Sequence, residues 1–159
     1  MYMQSNGAKR VSRGGISAAW SKVAALTSAV DANLDRWLAD SYRVGLTEFR
    51  ALSLVSQSPE KELRVNDLAQ AVGLNQSSAT RLVTRLESKG YVRRDLCADD
   101  KRGVYAVITE DGEALVRRAR SPYEDRITEL LTAAPAHFPG VDIRQLGAAL
   151  REIETLLDS

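Results

Sequence analysis

The sequence predicts a mainly α fold with one small β-hairpin. Three observations carry this expectation. Apolar residues recur at helical spacing through most of the 159-residue chain. Gly45, Gly73 and Gly90 fall where helical runs stop. Two β-rich runs, YVRRDL and VYAVIT, flank the charged turn CADDKRG, which is the pattern of a two-stranded hairpin.

Residues 1–15 are rich in Gly, Ser, Lys and Arg and read as a flexible N-terminal tail. From Ile16 to about Tyr42 the positions Ile16, Trp20, Val23, Thr27, Val30, Leu34 and Trp37 step alternately by four and three, which predicts a long helix with one apolar stripe. Thr47 is placed to cap a short second helix, TEFRALSLVS, with Phe49, Leu52 and Val55 inside, and Ser58-Pro59 breaks it. A third helix, NDLAQAV, starts at Asn66 or a near neighbour and stops at Gly73. The fourth runs from about Gln76 to Lys89 and stops at Gly90.

Beyond the hairpin, Thr109 caps a helix whose first turn holds Glu110, Asp111 and Glu113, where the helix dipole favours acids. It carries Leu115, Ala119, Tyr123, Ile127 and Leu130, and Pro122 is expected to bend or break it. PAHFPG reads as a loop. The last helix shows Ile143, Leu146, Leu150, Ile153 and Leu157 at steps of three and four.

Composition narrows the function. With 44% apolar and 27% charged residues the chain has a globular profile, and its net charge of +1 argues neither for nor against nucleic acid. Position says more, because between Arg64 and Arg102 there are eight Lys/Arg against five Asp/Glu, so the middle is mildly basic. No run approaches the roughly 18 apolar residues of a membrane span, and the N-terminus lacks the apolar core of a signal peptide. The expectation is a cytoplasmic protein, with which the single cysteine, Cys97, agrees. One His, one Cys and no Gly-rich phosphate loop or metal-spaced cluster give catalysis no support, so the expectation is no enzyme, no metal and no cofactor. His137, in the Pro-rich loop, reads as structural or exposed.

The stretch QSSATRLVTR is the informative one. At about 100° per residue Ala79, Leu82, Val83 and Leu86 share one helix face, while Ser77, Arg81, Thr84, Arg85 and Ser88 lie opposite and Thr80 flanks them. A solvated surface helix has the same pattern, so periodicity alone leaves the choice open. The helix before it joins through Gly73-Leu74-Asn75, a turn of helix-turn-helix length, and Ala69 lets the two helices cross closely. A helix-turn-helix followed by a hairpin with Lys101 and Arg102 at its tip is a winged helix, suited to reading a DNA major groove with the wing beside it. Arginine can bridge O6 and N7 of guanine, Gln76 can pair with adenine, and short hydroxyls reach phosphates or base edges.

At this point a resemblance becomes specific. The run LRVNDLAQAVGLNQSSATRLVTRLESKGYVRRDLCADDKRGVYAVITEDG resembles the MarR family of winged-helix transcriptional regulators. The matching features are the LA scaffold helix, SSATRLVTRL, the KGYVRR lead-in to the wing, and DKR followed by ITEDG. The family pattern ends the wing in Leu-Thr where this chain has Ile108-Thr109, a mild departure. The flanking helices match the family layout from about residue 16 onward.

The resemblance implies a regulator, a repressor, acting as a homodimer on a pseudo-palindromic operator in double-stranded DNA and released by a small-molecule effector. The expected DNA-binding residues are Gln76, Ser77, Ser78, Thr80, Arg81, Thr84, Arg85, Lys101 and Arg102. Arg102 would enter the minor groove, and Asp100 would hold the wing's shape. The layout is then a tail at 1–15, helical dimerisation regions at 16–45 and 110–159, and a DNA-binding lobe at 46–109. For an effector, the family implies anionic aromatic ligands between the dimer helices and the lobe. Trp20, Trp37, Arg43 and Arg50 are candidates for such a pocket, but each reads first as packing or surface, so no ligand site is assigned. Two alternatives stand beside this reading: a winged-helix protein-interaction module without DNA binding, and a redox sensor acting through Cys97, whose pKa Arg93 and Arg94 would lower.

Overall fold

The computed structural model describes residues 15–96 and 103–159. Helix α1 runs Ile16–Tyr42, α2 Leu46–Gln57, α3 Val65–Val72, α4 Gln76–Ser88, α5 Glu110–Ala133 and α6 Ile143–Leu157. Strands β1 Glu62–Arg64, β2 Val92–Leu96 and β3 Val104–Ile108 form one antiparallel sheet in the order β1-β3-β2. The mainly α fold with a small wing is as the sequence predicts. The hairpin pairs Val92 with Ile108 and Leu96 with Val104.

Strand β1 is an addition to that expectation. It lays Leu63 against Ala106 and Arg64 against Tyr105, so the wing is anchored to the segment that leads into α3.

The first four helices pack because their stops and starts are chemically fixed. Gly73 takes a left-handed φ of 72°, which lets Leu74 N–H reach back to the Ala69 carbonyl at 2.8 Å and close α3. Gly90, at φ 79°, does the same for α4, with Tyr91 N–H on the Leu86 carbonyl at 3.0 Å. Asn75 caps α4 by accepting the Ser78 N–H at 2.9 Å.

Two expectations are corrected. Thr47 does not cap α2, which begins a residue earlier; the acceptor comes from α1, where Asp35 Oδ1 takes the Leu46 N–H at 2.8 Å. Nor does Pro122 break α5, which is continuous across it. Contacts on the C-terminal side hold the helix in place despite the missing N–H. Tyr123 packs on Phe49 with ring centroids 4.7 Å apart, and Arg126 Nη2 donates to Asn33 Oδ1 at 2.8 Å.

The core joins Leu34 and Leu38 of α1, Leu52 and Val55 of α2, Leu68 of α3, Leu82 and Leu86 of α4, and Leu115 and Val116 of α5. Each such side chain contributes about 1.5–3 kcal/mol by leaving water. The ends of the chain behave differently. Trp20 is 69% exposed, and among the described residues α6 buries none, leaving Leu157 at 80%.

Candidate nucleic-acid interface

Helix α4 is divided as its sequence periodicity predicts. Ala79, Leu82, Val83 and Leu86 are buried, while Gln76, Ser77, Thr80, Arg81, Thr84 and Arg85 are exposed and Ser78 is half-buried. The scaffold helix α3 packs on the dry face through Leu68 and Ala69.

The polar face is more organised than the sequence suggests. Thr80, Thr84 and Ser88 each donate their hydroxyl to the carbonyl four residues back, at 2.9 Å in every case, so these hydroxyls offer acceptors outward rather than donors. Ser77 Oγ donates to Asn75 Oδ1 at 3.0 Å. Arg81 Nη2 makes a long contact of 3.4 Å with Ser78 Oγ, leaving the guanidinium's other donors for a partner.

Three residues that sequence reasoning did not single out shape this surface. Arg94, on β2, lays its Nη2 on the Thr84 hydroxyl and, at 3.4 Å, on the Thr80 carbonyl. Glu48, buried in the first turn of α2, accepts from Arg85 Nε at 3.4 Å and from Lys89 Nζ at 2.6 Å. Arg64 donates Nε to the Tyr105 hydroxyl at 2.8 Å, with its guanidinium carbon 5.4 Å from the ring centroid, joining the start of α3 to the wing. The sequence marks Arg94 only as a neighbour of Cys97 and as the end of the KGYVRR lead-in to the wing, neither of which places it on α4. Nothing in the sequence marks Glu48 beyond an acid in a first helical turn.

Lys101, Arg102, Asp100 and Cys97 lie outside the described residues, as do residues 1–14 of the expected tail.

A cavity of about 500 Å³ opens between α2, the end of α3 and α5. Phe49, Tyr123, Arg50 and Arg120 are among its lining residues. Of the four candidates for an effector pocket, only Arg50 is there. Trp37 instead packs edge-on against Tyr42 at 5.5 Å between centroids, and Trp20 and Arg43 are exposed elsewhere. Burial is the largest influence on Arg50 and works against its charge. The hydrogen bonds to Asp31 and the proximity of Tyr123 outweigh it and hold the pKa above the usual arginine value.

Among the described residues no group of three His, Cys, Asp or Glu is placed to hold a metal, and no helix is long and apolar enough to cross a membrane.

A two-helix corner, a polar second helix and a three-stranded wing define a winged helix-turn-helix protein. Comparison with known proteins takes this further. Residues 45–104 match the model of the MarR family. The chain is 29% identical over 137 residues to the homoprotocatechuate degradative operon repressor of Escherichia coli, covering 85% of this chain and 88% of that one. A MarR family transcriptional regulator from Streptomyces coelicolor, solved in complex with DNA, superposes with a TM-score of 0.74 at 25% identity, covering 96% of this chain and 91% of that one. The transcriptional regulator BldR from Sulfolobus solfataricus shares the fold, with a TM-score of 0.72 at 20% identity over 91% of this chain and 99% of that one. The chain thus carries a winged helix-turn-helix lobe of the MarR type over residues 45–104. It is a transcriptional regulator, and its relatives are regulators rather than enzymes.

Proposed function

We propose that the chain is a homodimeric repressor that lays α4 in the major groove of a pseudo-palindromic operator and lets go when a small anionic effector binds. The observation that carries DNA reading is the division of α4: four apolar residues are buried, and the opposite face presents Gln76, Ser77, Thr80, Arg81 and Arg85 to solvent. In this reading Arg81 bridges a guanine edge, Gln76 meets adenine, and Ser77 and Ser78 lie at the helix N-terminus that favours a phosphate. Lys101 and Arg102 supply the wing contact, with Asp100 holding the wing's shape.

Dimerisation is supported by apolar stripes that this chain leaves uncovered, on the first half of α1 and along α6. A second copy is the simplest cover. The two recognition helices would then stand about one DNA turn apart. Effector control is supported by the cavity, whose 500 Å³ is in the range of small-molecule sites and whose aromatic and arginine lining suits an anionic aromatic ligand.

The test is a gel-shift titration against genomic fragments, including the DNA upstream of the encoding gene, with salt varied. Selective binding with a steep salt slope is expected. Equal weak binding to every fragment, or none, would sink the reading and favour a protein-interaction module. Arg81→Ala should relax preference at one base position per half-site by about 1–3 kcal/mol, whereas Lys101→Ala should weaken all sequences alike.

A further inference from the structure

Among the described residues Glu48 is the one charged side chain that is buried, at 7% exposure. A buried carboxylate is costly unless it is paired. Its partners are Arg85 and Lys89, which follow one another by four residues near the C-terminal end of α4, so one acid from α2 grips two cations of the reading helix. Lys89 is held a second time, donating to the Arg43 carbonyl at 2.9 Å. The contact to Arg85 uses Nε and leaves the two terminal nitrogens, the pair that bridges a guanine edge or a phosphate, on a side chain still 54% exposed.

We propose that Glu48 is a positioning residue for DNA reading: its buried carboxylate fixes where Arg85 stands on the reading face and keeps Lys89 off the phosphates. The proposal rests on α4 being the recognition helix. An unanchored arginine on an exposed helix samples many rotamers and offers its full charge to any phosphate. Anchored through Nε, it has given up much of that freedom before DNA arrives, so a contact with one particular base costs less entropy. The carboxylate also offsets two positive charges that would otherwise bind every sequence.

Both effects raise the ratio of specific to non-specific binding, which gives the proposal a distinctive sign. Loss of the carboxylate should strengthen binding to arbitrary DNA while weakening discrimination. An acid that served only the fold would, when removed, weaken both or change neither.

The experiment uses the full chain and two duplexes: one enriched by the wild-type protein from a random pool, and a scrambled duplex of the same composition. Affinities are measured across a salt series for wild type, Glu48→Gln, Arg85→Gln and the double variant. Glu48→Gln is expected to bind the scrambled duplex more tightly, with a salt slope steeper by about 1–2 per chain. Its preference for the enriched duplex should fall roughly tenfold. In the Arg85→Gln background the further fall should be smaller than in the wild type, leaving only the share that comes from releasing Lys89. Should Glu48→Gln fail to fold, Glu48→Asp carries the test, since it keeps the charge but draws the carboxylate back by one carbon. It should show the loss of preference without the steeper slope. Wild-type preference in either folded variant, or a parallel loss on both duplexes, overturns the proposal. If the wild-type protein enriches no duplex, the reading of α4 falls and the proposal falls with it.

Discussion

Arg94 on β2 hydrogen-bonds the hydroxyl of Thr84 on α4, and its own backbone N–H donates to Glu87 at 3.0 Å. The first strand of the wing is therefore strapped to the middle and the end of the recognition helix. The Thr84 hydroxyl also donates to the Thr80 carbonyl, so one of its lone pairs and its proton are already engaged. Thr84, expected from the sequence to meet DNA, is first a strap residue.

This arrangement predicts non-additive variants. Arg94→Ala and Thr84→Val should each weaken specific binding by about 1 kcal/mol, the worth of one hydrogen bond. The double variant should lose no more than the worse single, because both remove the same contact. Gel-shift titration of the four proteins completes the cycle. Full additivity would mean that Thr84 reaches DNA independently of Arg94.

Gly112 predicts a sharp stability effect. A Cβ at this buried position would stand 2.3 Å from the Tyr91 carbonyl oxygen and 2.7 Å from Ile108 Cγ1. The first of these is backbone, tied down because Tyr91 O also accepts the Thr109 N–H at 3.0 Å. Gly112→Ala should therefore force α5 away from the sheet and cost about 1–3 kcal/mol, the usual range for overpacking. Urea unfolding measures it, and an unchanged midpoint would show that α5 can slide without loss.

The sequence made the fold legible wherever one local rule set the structure. Gly73 and Gly90 end helices because their backbones turn left-handed there, and Thr109 caps α5 by accepting the Gly112 N–H at 3.2 Å. Sequence reading failed where a distant partner decided. Asp35 displaced Thr47 as the cap of α2 because α1 brings a carboxylate to that N-terminus. Strand β1 is three residues long and exists because β3 offers it an edge, which no alternation in ELR could announce. The candidate site divides in the same way. The exposed face of α4 follows from periodicity, whereas Glu48 and Arg94 enter it only because α2 and β2 fold against that helix.

Glu113 couples the lobe to pH. Burial is the largest influence on its carboxyl and raises the pKa. The hydrogen bond from Ser56 at 2.9 Å and the nearby Lys61 ammonium, 3.3 Å from Oε1, together with Arg117, outweigh it and bring the net value below the usual 4.5. Oε1 has no hydrogen-bond partner of good geometry, so the lysine acts there as a nearby charge. A lowered pKa means that the folded state favours the carboxylate. Its contribution is complete above the unfolded value and fades as pH falls through the folded one. The stability gap between wild type and Glu113→Gln should accordingly be full near neutrality and close as the pH drops below about 4.5. Chemical denaturation at a series of pH values measures the gap; a constant gap into strong acid would remove Glu113 from the account.

The apolar ends of the chain predict the last outcome. Leu150 is 45% and Ile153 51% exposed on α6, although both stand on a stripe spaced for burial, and Trp20 on α1 is in the same position at 69%. Water contact along two such stripes disfavours a lone chain, since each large apolar side chain gains about 1.5–3 kcal/mol when covered. If a second copy covers them, Ile153→Glu should bury a charge without a partner in that interface and drive the protein to monomer. The winged lobe, whose core lies in α2 to α5 and the second half of α1, should stay folded. Light scattering after size exclusion reads the mass and circular dichroism reads the fold. With one recognition helix per particle, affinity for a two-fold operator should fall by about 10²-fold or more, the loss expected when linked binding events become separate. A variant that stayed dimeric with full affinity would place the partner surface elsewhere.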